Sequence, residues 1–342
     1  MSQHYPHIFE PFTVKRTTFR NRVVMPPMGS NLATFTGEVS EEMKNYYGLR
    51  ARGGTALITV ENACIDYPLA TNGTKQLRID NKQFIPGLYE LTERIHQYGA
   101  LASIQLNHAG ASAYPERLNG LQSVSSSSVP SKEGNPAPRP LEKCEILNIV
   151  QKYAEAAQRA VQAGFDMVEI HGGHSYLLDQ FLSPYYNKRT DEFGGSYENR
   201  ARFARLVVEA VRKAVGPWVP ISFRISADEF IEGGNTLDDT LKLLEYIEPE
   251  VDIINVSAAV NDSIQYQIDK CDLPDAWRAY LSEAVKKKFN KPVIISGNIR
   301  NPQVADQIIA EGKTDFIALG RGRCADPDWA RTPQGGRTCD RR

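Results

Sequence analysis

The sequence predicts an α/β protein whose fold class is a TIM (β/α)8 barrel with long loops after strands 3 and 4. Short apolar runs rich in β-branched residues alternate along the chain with stretches of helical periodicity, a pattern typical of βα units around a parallel sheet. No G-x-G-x-x-G segment follows any of these runs, so a closed barrel is favoured over a doubly wound sheet. The predicted strands span residues 22–26, 56–61, 101–106, 167–171, 219–224, 253–256, 293–296 and 316–319.

Amphipathic helices are predicted between these strands. Several of them end just before a glycine, the residue that most easily takes the left-handed conformation of a helix C-cap. The predicted helices include residues 83–98, 146–163, 198–215, 237–247 and 302–310. The glycines in question are Gly99, Gly164, Gly216 and Gly312.

Two long connections, residues 108–144 and 172–197, interrupt the regular alternation. Each follows a predicted strand, so both lie at the C-terminal face of the barrel, where barrel enzymes place their chemistry. We therefore expect these two loops to shape a substrate pocket.

The composition is that of a folded enzyme of small molecules. Of the 342 residues, 41% are hydrophobic and 24% are charged, so we expect a single domain, residues 1–342. The net charge of -1, with scattered Lys and Arg, does not favour a nucleic-acid partner. The sequence shows neither a basic leader nor an apolar run of about 18 residues, so we expect a cytoplasmic protein without a membrane partner.

The five cysteines form no CxxC pair, so neither a disulfide framework nor a complete zinc site is indicated. We expect unpaired thiols and no metal ion. The cysteines are Cys64, Cys144, Cys271, Cys324 and Cys339.

Two histidines, His171 and His174, stand at the end of the fourth predicted strand. Gly172 and Gly173 between them permit a turn that points both imidazoles at one ligand atom. Such a pair polarises a carbonyl, nitro or phenolate oxygen as negative charge develops on it. Metal ligation is an alternative, although no Asp, Glu or Cys stands at the spacing of a further ligand. Plain hydrogen-bonded pocket residues are the other alternative.

Tyr176 lies two residues beyond His174. A phenol with the reference pKa of about 10 is protonated at neutral pH and able to donate a proton to a carbanion. Taken alone, a loop tyrosine more often serves packing. Beside the two histidines, Tyr176 adds a proton donor to a pair of side chains that can bind a substrate oxygen.

The segments after the seventh and eighth predicted strands resemble a phosphate site. Ser296 ends the seventh strand and Gly297 and Asn298 follow it, while Gly320 and Arg321 follow the eighth, at the start of a short extra helix. Many barrels bind a phosphate with these two loops, because glycines allow close backbone approach and backbone N–H groups supply donors. Arg321 adds positive charge.

Three further polar side chains stand at strand ends facing the same mouth: Asn62, Gln105 and Arg224. A buried arginine needs an anionic partner, because an unpaired charge in a pocket is costly. A reduced, anionic flavin would be such a partner for Arg224. A structural ion pair with a barrel carboxylate such as Glu169 is the alternative.

With these residues in view, the whole chain resembles the Old Yellow Enzyme family of FMN-dependent ene-reductases, which includes dienoyl-CoA reductases and bacterial flavin oxidoreductases. The most specific motif is HGGHSYLLDQFLSP at residues 171–184. The others are IFEPF at residues 8–12, NRVVMPPM at 21–28, QLNHAG at 105–110, NKRTD at 187–191 and FGGSYENR at 193–200.

The resemblance implies an FMN across the barrel mouth, with Arg224 near the pyrimidine edge of the flavin. It implies that His171 and His174 grip the activating oxygen of a small α,β-unsaturated substrate. NADH or NADPH would reduce the flavin, whose N5 passes hydride to the β-carbon of the substrate while Tyr176 protonates the α-carbon. The implied FMN contacts are Pro26, Pro27, Met28, Asn62, Gln105, Arg224, Gly297, Gly320 and Arg321.

The sequence departs from the family pattern at two places in the site. Gly29 stands where some bacterial relatives have a flavin-tuning cysteine, and Asn62 where a small residue is usual. Longer members of the family continue into a four-cysteine iron–sulfur motif and a second flavin domain. The chain is therefore either a barrel-only enzyme or a fragment of a longer one, and an iron–sulfur cluster is expected only in the second case, since Cys324 and Cys339 are too few to hold it.

The alternatives are another FMN barrel oxidoreductase, such as a dihydrouridine synthase or a 2-hydroxy-acid oxidase, and a catalytically inactive flavin-binding barrel. A metal-dependent hydrolase or aldolase barrel is disfavoured because the strand ends offer too few ligands. The sequence leaves open the physiological substrate, the choice between NADH and NADPH, and whether the chain forms a homo-oligomer.

Overall fold

Eight parallel strands close into a barrel within residues 5–270 and 272–331, the part of the chain that the computed structural model describes. Neighbours follow chain order, and the last strand pairs with the first through Ile317 and Val23. The predicted fold class and the eight predicted strands are confirmed. The strands are β1 Val23–Met25, β2 Leu57–Cys64, β3 Leu101–Asn107, β4 Met167–Gly172, β5 Ile221–Ser226, β6 Ile253–Ser257, β7 Val293–Ser296 and β8 Phe316–Ala318.

Every residue of β4 and β5 is buried, as expected for parallel strands that helices cover on one side and barrel side chains on the other. The carboxylate of Glu169 on β4 accepts hydrogen bonds from Gln105, Ser222 and Asn255 at 3.0, 3.0 and 2.7 Å. These partners lie on three other strands. The barrel interior therefore contains a polar network centred on Glu169.

An N-terminal hairpin of Phe12–Val14 and Thr17–Phe19 closes one end of the barrel. Phe19 is fully buried and belongs to an apolar cluster with Leu57 and Met167 at the beginnings of β2 and β4. This cluster covers the N-terminal ends of the strands. The opposite, C-terminal end is the one that carries the two long loops.

The five predicted helices are confirmed, with boundaries that differ from the predicted ones by at most three residues. The sequence did not single out the helices α1 Glu41–Arg52, α4 Leu177–Leu182 and α7 Ala279–Phe289, whereas α9 Arg321–Ala325 is the short extra helix after β8. In α1, Met43, Tyr47 and Ala51 are buried at a spacing of four, but the charged residues and the glycine between them dilute the periodicity. The described helices are α1 Glu41–Arg52, α2 Ile85–His96, α3 Lys143–Gln162, α4 Leu177–Leu182, α5 Tyr197–Val215, α6 Leu237–Ile247, α7 Ala279–Phe289, α8 Pro302–Ala310 and α9 Arg321–Ala325.

The glycines predicted at helix ends have the left-handed backbone that this position favours. Gly99, Gly164, Gly216 and Gly312 have φ values of 69°, 83°, 78° and 70°. A β-carbon is strained in this region, so glycine is the least costly residue there.

Hydrogen bonds link the two long loops to each other over the C-terminal face of the barrel. Gln180, in the loop after β4, accepts hydrogen bonds from the hydroxyls of Ser125 and Ser126 in the loop after β3, at 2.8 Å to its side chain and 2.6 Å to its carbonyl. Gln180 is fully buried. The loops therefore form one packed layer around the barrel mouth.

Cys64, Cys144 and Cys324 are free thiols, and Cys271 and Cys339 lie outside the described residues. In residues 5–270 and 272–331, no helix is long and apolar enough to cross a membrane. Within the same ranges, no three His, Cys, Asp or Glu side chains are grouped so as to hold a metal ion.

Candidate active site

A cavity of about 850 Å³ opens at the C-terminal mouth of the barrel. All fourteen side chains and backbone positions singled out in the sequence line it, although they come from seven different strand ends. They are Pro26, Pro27, Met28, Asn62, Gln105, His171, His174, Tyr176, Arg224, Ser296, Gly297, Asn298, Gly320 and Arg321.

Two glycines let the end of β4 pack directly against β5. A β-carbon on Gly172 would lie 2.3 Å from the ring of Phe223, and one on Gly173 would lie 2.8 Å from the backbone nitrogen of Ser226. Neither distance is sterically acceptable, so both positions require glycine. This close packing places the next residue, His174, at the cavity.

His174 and Ser175 then adopt left-handed backbone conformations, with φ of 58° and 60°. Such conformations are costly for residues with a side chain and persist only where neighbours hold them. The Ser226 hydroxyl accepts from the backbone nitrogen of His174 at 3.0 Å, and a carboxylate oxygen of Asp179 accepts from that of Ser175 at 2.7 Å. The turn is therefore fixed from both sides.

The turn brings the two imidazoles face to edge, with Nε2 of His171 lying 3.3 Å from Nδ1 of His174. Both rings are buried. Burial lowers the pKa of each histidine well below its ordinary value, and the Arg224 cation lowers it further. Both rings are therefore neutral at pH 7, and each has one N–H to donate.

The ring of Tyr176 packs against that of His171 with centroids 4.8 Å apart. Its phenolic oxygen accepts a hydrogen bond from the amide of Asn72 at 2.6 Å, and Asn62 donates in turn to Asn72 at 3.1 Å. Burial raises the pKa of Tyr176 despite the opposing effects of Asn72 and Arg224. The phenol is therefore protonated at neutral pH.

Arg224 projects from β5 into the same cavity, and 8% of its surface is exposed. One guanidinium nitrogen donates a long bond of 3.4 Å to the carbonyl of Pro27, and Nε has no partner among the described residues. The ion pair with Glu169, considered as an alternative, does not form, because Glu169 is engaged by the barrel network. Arg224 thus offers a buried positive charge to the cavity.

The loops after β7 and β8 meet on the far side of the cavity. Gly297 has φ of 132°, and a β-carbon there would lie 2.4 Å from Nε of Arg278. A β-carbon on Gly320 would lie 2.9 Å from the sulfur of Met28. Arg321 donates to the side chain of Asn298 at 3.1 Å. Close backbone approach and positive charge therefore coincide there, as the sequence predicted.

Sequence reasoning missed several residues that line the cavity, among them Asn72, Asp269 and Arg278. The Asp269 side chain pairs with Arg278 at 3.2 Å, and its carbonyl accepts from Arg321 at 2.7 Å, so one loop residue holds two arginines in place. These residues stand in loops without a motif. No spacing in the sequence marks them.

A parallel barrel that gathers arginines and glycine-lined strand ends at one mouth belongs to the class of α/β barrels that bind phosphorylated cofactors. Comparison with known proteins narrows this class. The family model described as NADH:flavin oxidoreductase / NADH oxidase matches residues 7–340, and the chain belongs to this family. Proteins of this family bind FMN and use NADH or NADPH.

Two relatives and one solved structure illustrate the similarity. An NADH oxidase of Thermoanaerobacter brockii is 44% identical over 98% of this chain and 52% of its own length. An NADPH dehydrogenase of Clostridium acetobutylicum is 35% identical over 94% of this chain and 92% of its own. The Old Yellow Enzyme homologue of Zymomonas mobilis superposes with a TM-score of 0.84 at 26% identity, covering 97% of this chain and 93% of that one. The chain thus spans about half the length of the NADH oxidase.

Proposed function

We propose that this chain is an FMN-dependent ene-reductase that uses NADH or NADPH to reduce the carbon–carbon double bond of a small α,β-unsaturated carbonyl compound. The observation that carries the proposal is the pair of neutral imidazoles, His171 and His174, whose facing nitrogens lie 3.3 Å apart beside the phenol of Tyr176. This arrangement fits an oxygen that gains negative charge and a neighbouring carbon that needs a proton.

The cavity residues fit FMN. The Nε of Arg224, which has no hydrogen-bond partner among the described residues, suits the anionic pyrimidine edge of a reduced flavin, which would compensate a buried cation. The backbone of Gly297 and Gly320 lines the cavity without a side chain, and Arg321 lies beside it, which suits a phosphate. Pro26, Pro27 and Met28 of the first strand end, with Asn62, Gln105, Ser296 and Asn298, would complete the binding surface.

FMN would supply the redox chemistry by accepting a hydride from the nicotinamide and passing it to the substrate. His171 and His174 would donate hydrogen bonds to the substrate oxygen, which draws electron density from the double bond. Tyr176 would protonate the α-carbon from its O–H. Residues 1–342 would form a single FMN-binding domain, and this assignment applies whether or not the natural protein is longer.

The visible spectrum tests the proposal. Purified protein reconstituted with FMN is expected to show oxidised flavin bands that bleach with NADH or NADPH without oxygen and return when an enone such as 2-cyclohexenone is added. Product analysis would then show the saturated ketone. Protein that fails to take up FMN, or reduced protein that an enone does not reoxidise, would contradict the proposal.

A further inference from the structure

Ser257 lies at the end of β6 beside the histidine pair, and no motif marks it. Its hydroxyl is buried and lies 2.7 Å from Nε2 of His174. A serine hydroxyl has one proton to donate and two lone pairs with which to accept. The direction of this hydrogen bond therefore depends on where the proton of His174 resides.

The tautomer of His171 is set by the backbone. The N–H of Gly173 points at Nδ1 of His171 over 3.3 Å. A backbone N–H only donates, so Nδ1 accepts and the proton of this neutral ring is on Nε2. That N–H faces Nδ1 of His174, which in the protein without substrate must accept it. His174 then carries its own proton on Nε2 and donates it to Ser257.

Binding a substrate oxygen changes the position at which His174 must carry its proton. For both rings to donate to one oxygen, Nδ1 of His174 must carry the proton, and its buried Nε2 becomes a bare acceptor. Forming an imidazolium is disfavoured, because burial and the nearby Arg224 cation already hold the pKa of His174 low. A neutral ring instead needs a donor at Nε2, since an unsatisfied buried acceptor is costly.

We propose that Ser257 is a positioning residue that reverses its hydrogen bond, so that His174 holds its proton on Nδ1 and becomes the second donor to the substrate oxygen. This role rests on the proposed function. The ring loses a proton from Nε2 and gains one on Nδ1 by exchange with water, so its charge does not change. The serine hydroxyl only rotates its hydrogen towards Nε2.

Nitrogen-15 NMR of imidazole-labelled, FMN-loaded protein tests the inference directly, with p-hydroxybenzaldehyde as the probe of the oxygen site. We expect His174 to be the Nε2–H tautomer in the free protein and the Nδ1–H tautomer in the complex. A complex in which His174 stays Nε2–H, or carries both protons, overturns the inference, and this measurement needs no variant.

Substitution gives a second readout. Ser257→Ala is expected to weaken binding of the phenolate, followed through the flavin absorbance, by at least about tenfold, because one hydrogen bond to an anion is lost. Ser257→Thr keeps the hydroxyl and is expected to restore most of the affinity. Ser103→Ala is the matched control, since it removes a buried strand hydroxyl that has no partner among the described residues.

The outcomes separate this inference from the proposed function. If wild-type protein binds no phenolate and reduces no enone, the proposed function fails. If wild-type protein does both and Ser257→Ala binds the phenolate as tightly as wild type, only the role of Ser257 fails.

Discussion

The side-chain amide of Asn72 donates a hydrogen bond of 2.6 Å to the phenolic oxygen of Tyr176. The two residues are more than a hundred positions apart and belong to loops that follow different strands. Because the phenolic oxygen accepts from Asn72, the phenolic proton is not needed for that contact. It is free to point into the cavity, where the proposed reaction requires it.

Replacing Tyr176 with Phe removes this proton and leaves the ring. We expect flavin reoxidation by an enone to slow by about 10²-fold or more, the usual contribution of a positioned general acid. Reduction of the flavin by the nicotinamide should keep its rate, since it needs no proton from the tyrosine. Stopped-flow absorbance measures the two half-reactions separately. Equal slowing of both would contradict the proton-donor role.

Replacing Asn72 with Asp tests the direction of the hydrogen bond. A carboxylate only accepts, so the phenol would donate to it and its proton would be withheld from the substrate. We expect enone-driven reoxidation to slow by about tenfold or more. Asn31→Asp adds the same charge at another residue that lines the cavity, one whose side chain hydrogen-bonds to Thr74 and Lys75 and not to Tyr176, and is the control. The same loss of rate in both variants would attribute the effect to charge alone.

Replacing both His171 and His174 with Asn should remove the shift in flavin absorbance that phenols cause, while FMN remains bound. The two rings are proposed to contact the substrate oxygen, whereas the glycine-lined loops and Arg224 are proposed to hold the cofactor. Titration with a phenol and measurement of the FMN content of the same sample check both statements. A variant that loses its FMN would show that the histidines belong to the cofactor site.

Replacing Arg224 with Met removes the buried cation whose Nε has no hydrogen-bond partner in the described part of the chain. We expect FMN affinity to fall by at least about 2 kcal/mol, roughly thirtyfold in Kd, because the flavin would lose a desolvated charge partner. Fluorescence of free FMN measures the Kd. Arg205→Met makes the same substitution on a surface helix, where Arg205 pairs with Glu209 at 3.7 Å, and should leave the Kd unchanged. Equal Kd values in the two variants would exclude Arg224 from the cofactor site.

The histidine pair should make the cofactor-free protein sensitive to acid. Their folded-state pKa values are lowered by burial, so below pH 6.5 the unfolded chain binds protons that the folded chain does not. Stability is therefore full above this pH and falls below it, by up to about 1.4 kcal/mol per pH unit for each ring. Calorimetric Tm measurements between pH 7 and 5 should show this slope, and the double Asn variant should reduce it.

His96 provides a control of opposite sign. Its hydrogen bond to Asp166 raises the pKa of His96, so this residue stabilises the folded state below its unfolded pKa, and the effect disappears as the pH rises through its folded pKa. His96→Asn should therefore steepen the loss of stability in acid. A wild-type protein whose Tm does not fall between pH 7 and 5 would contradict the assignment of two buried neutral histidines.

Much of this molecule follows from local sequence. Apolar runs rich in β-branched residues predict the eight strands, because a parallel barrel buries both faces of each strand. The carboxyl ends of such strands meet at one mouth, so polar residues at or just after these ends, such as His171, Arg224 and Arg321, are expected to share a cavity. Helices whose apolar periodicity is interrupted, such as α1, are not predicted from the sequence, because tertiary packing rather than an amphipathic pattern stabilises them.

The directions of the hydrogen bonds in the site were decided by the tertiary structure alone. The sequence placed His174 and Tyr176 at the mouth, but their partners Ser257 and Asn72 come from distant segments that no spacing links to them. Whether Arg224 pairs with Glu169 likewise depends on the fold, which places Gln105, Ser222 and Asn255 against that carboxylate. The periodicity of apolar residues within a strand or helix is a local property of the sequence, and it determines which side chains stand at the mouth of the barrel. Which of them touch depends on how separate loops pack, and this depends on the whole fold.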